Sequence, residues 1–184
     1  MSLLILLALL VPGAARQQPF LQYGGMFPGV AWKAVTPYIA AKAPRRAACR
    51  ATTEDAPATV IRTHTCLVRR LLLTNDVRAN VAFTVDDSSG KVASIIIAYR
   101  PSRDAGREAA LDTLTRQFGP PVAADTARGA AKWTQGSKSL DLTTRPLPGT
   151  TENGVTAPIV VILADADLRV AIDARVKGAG PVKR

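Results

Sequence analysis

The stretch that decides the fold is ANVAFTVDDSSGKVASIIIAY, residues 79–99. Apolar residues alternate with smaller or polar ones over residues 79–86, which is the period of a half-buried strand. Residues 86–90 (DDSSG) have the composition of a turn. Residues 91–99 form a second apolar run, so we expect an antiparallel hairpin. The three isoleucines at 95–97 indicate that the second strand is central, either covered on both sides or twisting into the core.

The segment after this hairpin predicts a helix. Ser102 is a favourable N-cap residue, and Asp104 falls in the first turn, where the helix dipole stabilises a carboxylate. Four apolar residues form one stripe at helical spacing: Ala110, Leu111, Leu114 and Phe118. Gly119, followed by two prolines, ends the helix.

A second hairpin and a buried strand are expected further along. Residues 131–134 and 138–143 flank a Gln-Gly-Ser turn, and residues 159–163 (IVVIL) are almost wholly apolar. A loop is expected at residues 146–158. The spacing of the apolar residues in 165–176 fits either a helix or a strand. Because the aspartates at their start can cap a helix, we predict a helix there.

The N-terminal half of the domain is less regular. Residues 16–29 are rich in Gly, Pro and Gln, which predicts an extended lead-in held by its aromatic residues, Phe20, Tyr23 and Phe27. The apolar residues of 30–42 have the spacing of an amphipathic helix, so we predict a helix there. Pro37 lies inside it and predicts a kink or a later helix start. Short strands are expected at residues 47–51 and 59–68, of which the second is rich in β-branched residues.

The chain opens with an apolar stretch, MSLLILLALLVPGAA, residues 1–15. A membrane-spanning helix needs about 20 apolar residues, so this run is too short to span. Its length and the small residues at its end are those of a secretory signal cleaved after Ala15, although no Lys or Arg precedes the run. The alternative is a buried N-terminal helix or strand. An export signal predicts a periplasmic or secreted protein. Because no cysteine lies near the cleavage point, a lipid anchor is not indicated.

Two cysteines, Cys49 and Cys66, are present. In an exported chain, an even cysteine count favours one disulfide. Closing a loop of about 17 residues would stabilise the fold by roughly 3 kcal/mol on the chain-entropy model. Two free thiols are the alternative. A metal site would have to combine these cysteines with His64, and the pattern supplies no fourth soft ligand.

The charge of the chain bears on its partners. Lys and Arg number 24 against 14 Asp and Glu, a net charge of +10. In an exported protein such a charge favours an acidic protein or an anionic envelope surface. The bases are mostly scattered, apart from the pairs Arg45–Arg46 and Arg69–Arg70, so a solvated surface without a partner is the alternative. Aromatic residues are only 5%, too few for a stacking platform, and we expect no nucleic-acid partner.

Trp32 and Trp133 are the two tryptophans. Trp133 lies on a short strand beside the most regular helix, so we expect it in the core. Trp32 lies near the start of the first helix and is the better candidate for an exposed anchor. Trp32 and the two arginine pairs are therefore the candidate partner-binding residues.

Few patterns point to catalysis. His64 is the only histidine, and on a strand it shares a face with Cys66, so a cysteine nucleophile beside it would be oxidised. The dense acidic pairs are Glu54–Asp55, Asp86–Asp87 and Asp165 with Asp167. Two carboxylates facing each other across a cleft could hydrolyse a glycoside, but a turn explains the second pair and helix capping the third. The segment 86–90 resembles a calcium loop only loosely. We expect no catalytic residue, metal or cofactor.

A familiar layout covers residues 83–142. A strand with a Phe leads through a turn to Gly90-Lys91-Val92-x-x-Ile95, a helix closes with Leu114-x-x-x-Phe118-Gly119-Pro120-Pro121, and Trp133 precedes a hairpin ending Leu140-x-Leu142. This layout resembles small exported proteobacterial proteins of unassigned function. It is also similar to the helix-on-sheet units of the β-lactamase inhibitor protein and of the small outer-membrane assembly lipoprotein, whose lipid-bearing cysteine this chain lacks. The resemblance implies a binding or structural role rather than catalysis.

Taken together, the patterns predict one α+β domain at residues 30–176, with an antiparallel β-sheet and helices packed on one face. A flexible basic tail is expected at residues 177–184. The function that fits is an exported, non-enzymatic binding or envelope-associated protein. Two alternatives stay open: a carboxylate-based hydrolase acting on cell-envelope glycan, and a structural accessory subunit of an envelope complex.

Overall fold

In the part of the chain that it describes, the computed structural model combines an antiparallel sheet with three helices, which confirms the predicted α+β class. It describes residues 21–43, 45, 47–52, 63–73, 77–100, 107–125, 129–143, 151–152, 155–156 and 159–178. The helices are α1 (Trp32–Lys42), α2 (Arg107–Phe118) and α3 (Ala166–Gly178). The strands are β1 (Ala48–Thr52), β2 (Thr63–Leu72), β3 (Arg78–Asp86), β4 (Lys91–Tyr99), β5 (Ala123–Asp125), β6 (Ala130–Gln135), β7 (Lys138–Thr143), β8 (Thr151–Glu152), β9 (Val155–Thr156) and β10 (Ile159–Asp165).

Eight of these strands form one sheet in the order β1-β2-β3-β4-β10-β7-β6-β5, and every neighbouring pair is antiparallel. The predicted hairpin at residues 79–99 is confirmed as β3 and β4, and the second predicted hairpin as β6 and β7. The apolar strand β10 lies between the two hairpins and pairs with β4 and β7. The two hairpins therefore come together in one sheet because β10 joins them.

One row of side chains crosses the sheet in register and forms the centre of the core. Its members face the same side on six neighbouring strands and are at most 2% exposed: Cys66, Phe83, Ile95, Leu163, Leu140 and Trp133. Helices α1 and α2 contribute Val35, Ile39 and Leu114 to the same core. Trp133 is thus in the core as predicted, and its Nε1 donates to the carbonyl oxygen of Gly119 at 2.9 Å.

Helix α1 continues through its proline. Pro37 has no N–H, so the carbonyl of Lys33 loses its usual helical donor. The hydroxyl of Thr36 donates to that carbonyl oxygen at 3.1 Å. The helix begins at Trp32, five residues before the proline, so the later start that Pro37 suggested is not observed.

Residues 21–29 turn back on themselves and are not an extended lead-in. Tyr23 and Met26 exchange two backbone hydrogen bonds of 3.0 Å. The two glycines between them have φ of +57° and +80°, a region that glycine adopts without steric cost. The prediction that Phe27 holds this segment in place is wrong, because its side chain is 38% exposed. Met26 is the buried residue instead. Phe20 lies outside the described residues.

Three further segments differ in part from what the sequence predicts. Helix α3 confirms the helical choice for residues 165–176, although Asp165 itself ends β10 and residues 177–178 still belong to the helix. The predicted loop at 146–158 contains two short strands, β8 and β9. Strand β5 was not expected from the sequence. The predicted signal segment and the Ser102 cap lie outside the described residues.

Candidate functional site

The predicted disulfide is confirmed. Cys49 on β1 and Cys66 on β2 are directly opposite each other, with an S–S distance of 2.04 Å. Both cysteines of the chain are in this bond, so neither can serve as a nucleophile or a thiolate ligand. Among the described strands, β1 pairs with β2 alone and is an outer strand of the sheet. The bond therefore fastens that outer strand to its single neighbour.

His64 forms a structural contact with the β3–β4 turn. Its Nδ1 lies 2.5 Å from Oδ1 of Asp87, and its side chain is 42% exposed. On β2 it is two residues from Cys66 and on the same face, as expected. The two hydroxyls that follow Asp87 in the chain, those of Ser88 and Ser89, both donate to Asp86. The pair connects β2 to the turn, while the Ser88 and Ser89 hydroxyls and the Cys66 sulfur are bonded to other groups.

Asp86 is the most buried carboxylate of the described residues, with 1% of the residue exposed. It accepts hydrogen bonds from the hydroxyls and backbone N–H groups of Ser88 and Ser89 and from the guanidinium of Arg175, which approaches to 2.5 Å. Burial raises the pKa of Asp86, but these hydrogen bonds and the Arg175 charge outweigh burial and lower it below the ordinary value. The group is ionised at neutral pH and holds α3 against the turn.

Asp165 has a similar role at the other end of α3. Its Oδ1 accepts the N–H of Leu168 at 3.3 Å, which caps the helix, and its Oδ2 binds Nζ of Lys138 at 2.9 Å. Burial raises the pKa of Asp165, while the bonds from Lys138 and Leu168 lower it by more. A carboxyl with a lowered pKa is a poor general acid. Asp86 and Asp165 thus have the contacts of a turn and a helix cap, as the sequence indicated.

The sheet face opposite the core to which α1 and α2 contribute is partly exposed, and we call it the open face. Val160 and Ala164 on this face are buried, and Asp86 on it is held by Arg175 of α3. Its central row runs in register across β2, β3, β4 and β10 through Leu67, Ala82, Ile96 and Ile162. Leu67 is 37% exposed and the other three are half-buried. The row beside it has hydroxyl groups on three adjacent strands, those of Thr65, Thr84 and Ser94. The open face therefore combines an apolar centre with neutral polar groups.

Arginines border this face on the β1–β3 side, and we call them the basic strip: Arg50, Arg69, Arg70 and Arg78. A β-bulge between Val68 and Leu71 turns both Arg69 and Arg70 outward. Arg70 has φ of +57°, and this conformation is held by two bonds: its N–H donates to Asn80 at 3.3 Å, and its carbonyl accepts from Arg78 at 3.2 Å.

The charge of these three strands has one sign. In β1, β2 and β3 the single acidic residue is Asp86, which is buried and paired with Arg175. At the far side of the sheet, by contrast, Lys132 on β6 pairs with Asp141 on β7 at 3.5 Å. Within β1, β2 and β3, every exposed charged side chain that the structure describes is therefore positive.

The predicted partner-binding residues do not form one site. Arg69 and Arg70 belong to the basic strip, where Arg50 and Arg78, which sequence reasoning missed, lie with them. Arg45 is exposed just before β1, and Arg46 lies outside the described residues. Trp32 is half-buried on the helix-covered side, where its ring lies 5.3 Å from that of Phe83. The alternation of β1 and β3 was the signal that could have placed Arg50 and Arg78.

Comparison of the chain with protein-family models, curated proteins and solved structures gives no match. The resemblance stated from the sequence therefore stays a prediction. Within the described residues, no group of three or more His, Cys, Asp or Glu side chains could hold a metal ion. Among those same parts of the chain, no helix has the length and apolar character needed to cross a membrane.

Proposed function

We propose that this chain is an exported, non-enzymatic binding protein whose open face docks on an acidic surface of a partner protein. The observation that carries the proposal is the one-signed charge of β1–β3 beside a partly exposed apolar row. Apolar side chains surrounded by charged ones are typical of protein interfaces, where the centre supplies affinity and the rim supplies steering.

The position of the charges favours a protein over a lipid surface. The basic strip follows the border of an open face whose centre contains hydroxyls and β-branched or small side chains. Ile96 is half-buried by its neighbours, and Leu67, although exposed, is a single short side chain, so neither reaches far from the sheet. A lipid surface would be expected to attract a basic face with long or aromatic apolar side chains that insert. A folded acidic protein can instead match both the centre of the open face, with its short side chains, and the basic border.

Export is the second part of the proposal. The disulfide supports an oxidising compartment, because such bonds persist mainly in the periplasm or outside the cell. The apolar segment at residues 1–15, with its small residues at the end, is the expected secretory signal.

The test uses two defined probes, poly-L-glutamate and vesicles containing phosphatidylglycerol. Two variants lose the same charge: Arg50→Gln with Arg70→Asn on the basic strip, and Lys33→Gln with Arg116→Gln on α1 and α2. Asparagine tolerates the positive φ of Arg70. We expect the strip variant to bind poly-L-glutamate about five- to ten-fold more weakly, since each exposed charge contributes about 0.5 kcal/mol or slightly more. The helix variant should change binding by less than about two-fold.

Salt and the second probe complete the design. Binding to poly-L-glutamate should weaken steeply between about 50 and about 200 mM salt. Affinity that is flat with salt, or equal losses in the two variants, would exclude the basic strip as the binding surface. Binding to the vesicles alone would show that the partner is a lipid surface, and the proposal of a protein partner would be wrong.

A further inference from the structure

A cavity of about 500 Å³ lies on the other side of the sheet, away from the open face. It is bounded by the turn at residues 21–26, by the end of β4 and by α2. Its apolar floor includes Leu73 and Leu114, which are at most 8% exposed. Thr113 and Gln117 on the exposed side of α2 form part of its wall. The volume falls in the range of small-molecule sites, about 300–1,000 Å³.

Two tyrosines that line this cavity, Tyr23 and Tyr99, have side-chain hydroxyls that are hydrogen-bonded to each other. Tyr23 comes from the N-terminal turn and Tyr99 from the end of β4, 76 residues apart in the chain. Two hydroxyls carry two hydrogens, and the bond between them uses only one. The second hydrogen has no acceptor within the described residues. The pair therefore presents one unused O–H donor in an apolar cavity.

This donor stays protonated. Burial raises the pKa of Tyr23 well above its ordinary value, with a further contribution from Tyr99, and burial also raises the pKa of Tyr99. None of the lining side chains that the structure describes is charged. An ionic ligand would have to lose its hydration with no counter-charge among these groups, which is costly.

We propose that this cavity binds an uncharged, largely apolar small molecule whose carbonyl or ether oxygen accepts a hydrogen bond from the tyrosine pair. The apolar body of the molecule contacts Leu73, Val77 and Leu114. The site is separate from the basic strip, so this inference does not rest on the proposed function.

The probe for the test is Prodan, an uncharged naphthalene with a ketone, whose emission responds to an apolar site and to hydrogen bonding at its carbonyl. We expect Prodan emission to shift to shorter wavelength on binding. The double variant Tyr23→Phe with Tyr99→Phe removes the donor, and affinity should fall about five- to ten-fold, the loss expected for one neutral hydrogen bond. Either single variant should lose less than about two-fold, because the remaining hydroxyl keeps its own hydrogen for the ligand.

A second pair of variants tests the location. Ala110→Phe on α2 places a ring in the cavity and should abolish the Prodan signal. Asp112→Phe on the same helix is exposed and does not line the cavity, so it should leave the signal unchanged. Circular dichroism melting shows whether each variant is folded; should Ala110→Phe not fold, the tyrosine variants alone decide.

Competition tests the chemical class of the ligand. The neutral ketone 2-acetonaphthone should displace Prodan, while 2-naphthoate, with the same ring and a carboxylate, should not. Equal competition would show that the cavity accepts anions, and the proposal of an uncharged ligand would be wrong. Failure to bind Prodan, or an unchanged affinity in the double tyrosine variant, overturns the inference as well. The strip variant at Arg50 and Arg70 should bind Prodan normally, which separates this outcome from that of the proposed function.

Discussion

The contact between Arg175 and Asp86 allows a quantitative prediction for the replacement Arg175→Gln. The Asp86 side chain is 2% exposed, whereas that of Arg175 is 35% exposed. Breaking a fully buried pair by removing one partner costs about 3–5 kcal/mol. Here the serine hydrogen bonds to Asp86 remain and water can reach the vacated position, so we expect the free energy of unfolding to fall by about 2 kcal/mol.

The loss should depend on pH in a defined direction. The pKa of Asp86 in the folded protein lies below its ordinary value of 3.8. A carboxyl with a lowered pKa stabilises the fold above its unfolded pKa, and this contribution disappears as pH falls through the folded pKa. The difference between wild type and Arg175→Gln should therefore be complete at neutral pH and should shrink as pH falls below 3.8.

Urea unfolding followed by tryptophan fluorescence measures both quantities. Lys132→Gln is the matched control, because its partner Asp141 is 38% exposed and 3.5 Å away. An exposed pair of this kind contributes about 0.5 kcal/mol or less. Equal losses in the two variants, or an Arg175→Gln loss that persists when Asp86 is protonated, would refute the view that this buried carboxylate holds α3.

Two further predictions concern stability. Reduction of the Cys49–Cys66 bond should lower the free energy of unfolding by at most about 3 kcal/mol, measured by urea unfolding with and without reductant, and a larger loss would contradict a purely chain-entropic contribution. Trp133→Phe should cost about 2–3 kcal/mol in the same assay, because it leaves a cavity in the core and removes the hydrogen bond to Gly119. An unchanged midpoint would show that this position repacks freely.

The parts of the fold that the sequence predicted are those where local patterns and burial agree. Strand β4 was predicted with its observed bounds because its apolar residues are flanked by a turn and by a polar residue at Arg100. The helix predicted at 165–176 followed from the capping capacity of Asp165, and the structure confirms this cap at the start of α3. In both cases residues close in sequence determine the element.

Features that depend on distant contacts were missed. Strand β5 is Ala-Ala-Asp, which has no strand propensity, and it exists because β6 offers backbone partners at the edge of the sheet. The turn at 21–26 is fixed by packing of Met26 into the core. The tyrosine cavity needs Tyr23 and Tyr99 to meet, and no local spacing indicates that contact.

The edges of the sheet have a consequence for how the protein behaves at high concentration. An outer strand can act as a template on which a strand of another molecule adds. Among the described strands, one edge strand of the sheet is β5, which has three residues, all of them exposed. The other edge strand is β1, which the disulfide links to the ten-residue strand β2. If β1 separated after reduction, β2 would become a long edge strand with unpaired backbone groups. We therefore expect the disulfide also to reduce ordered aggregation through this edge.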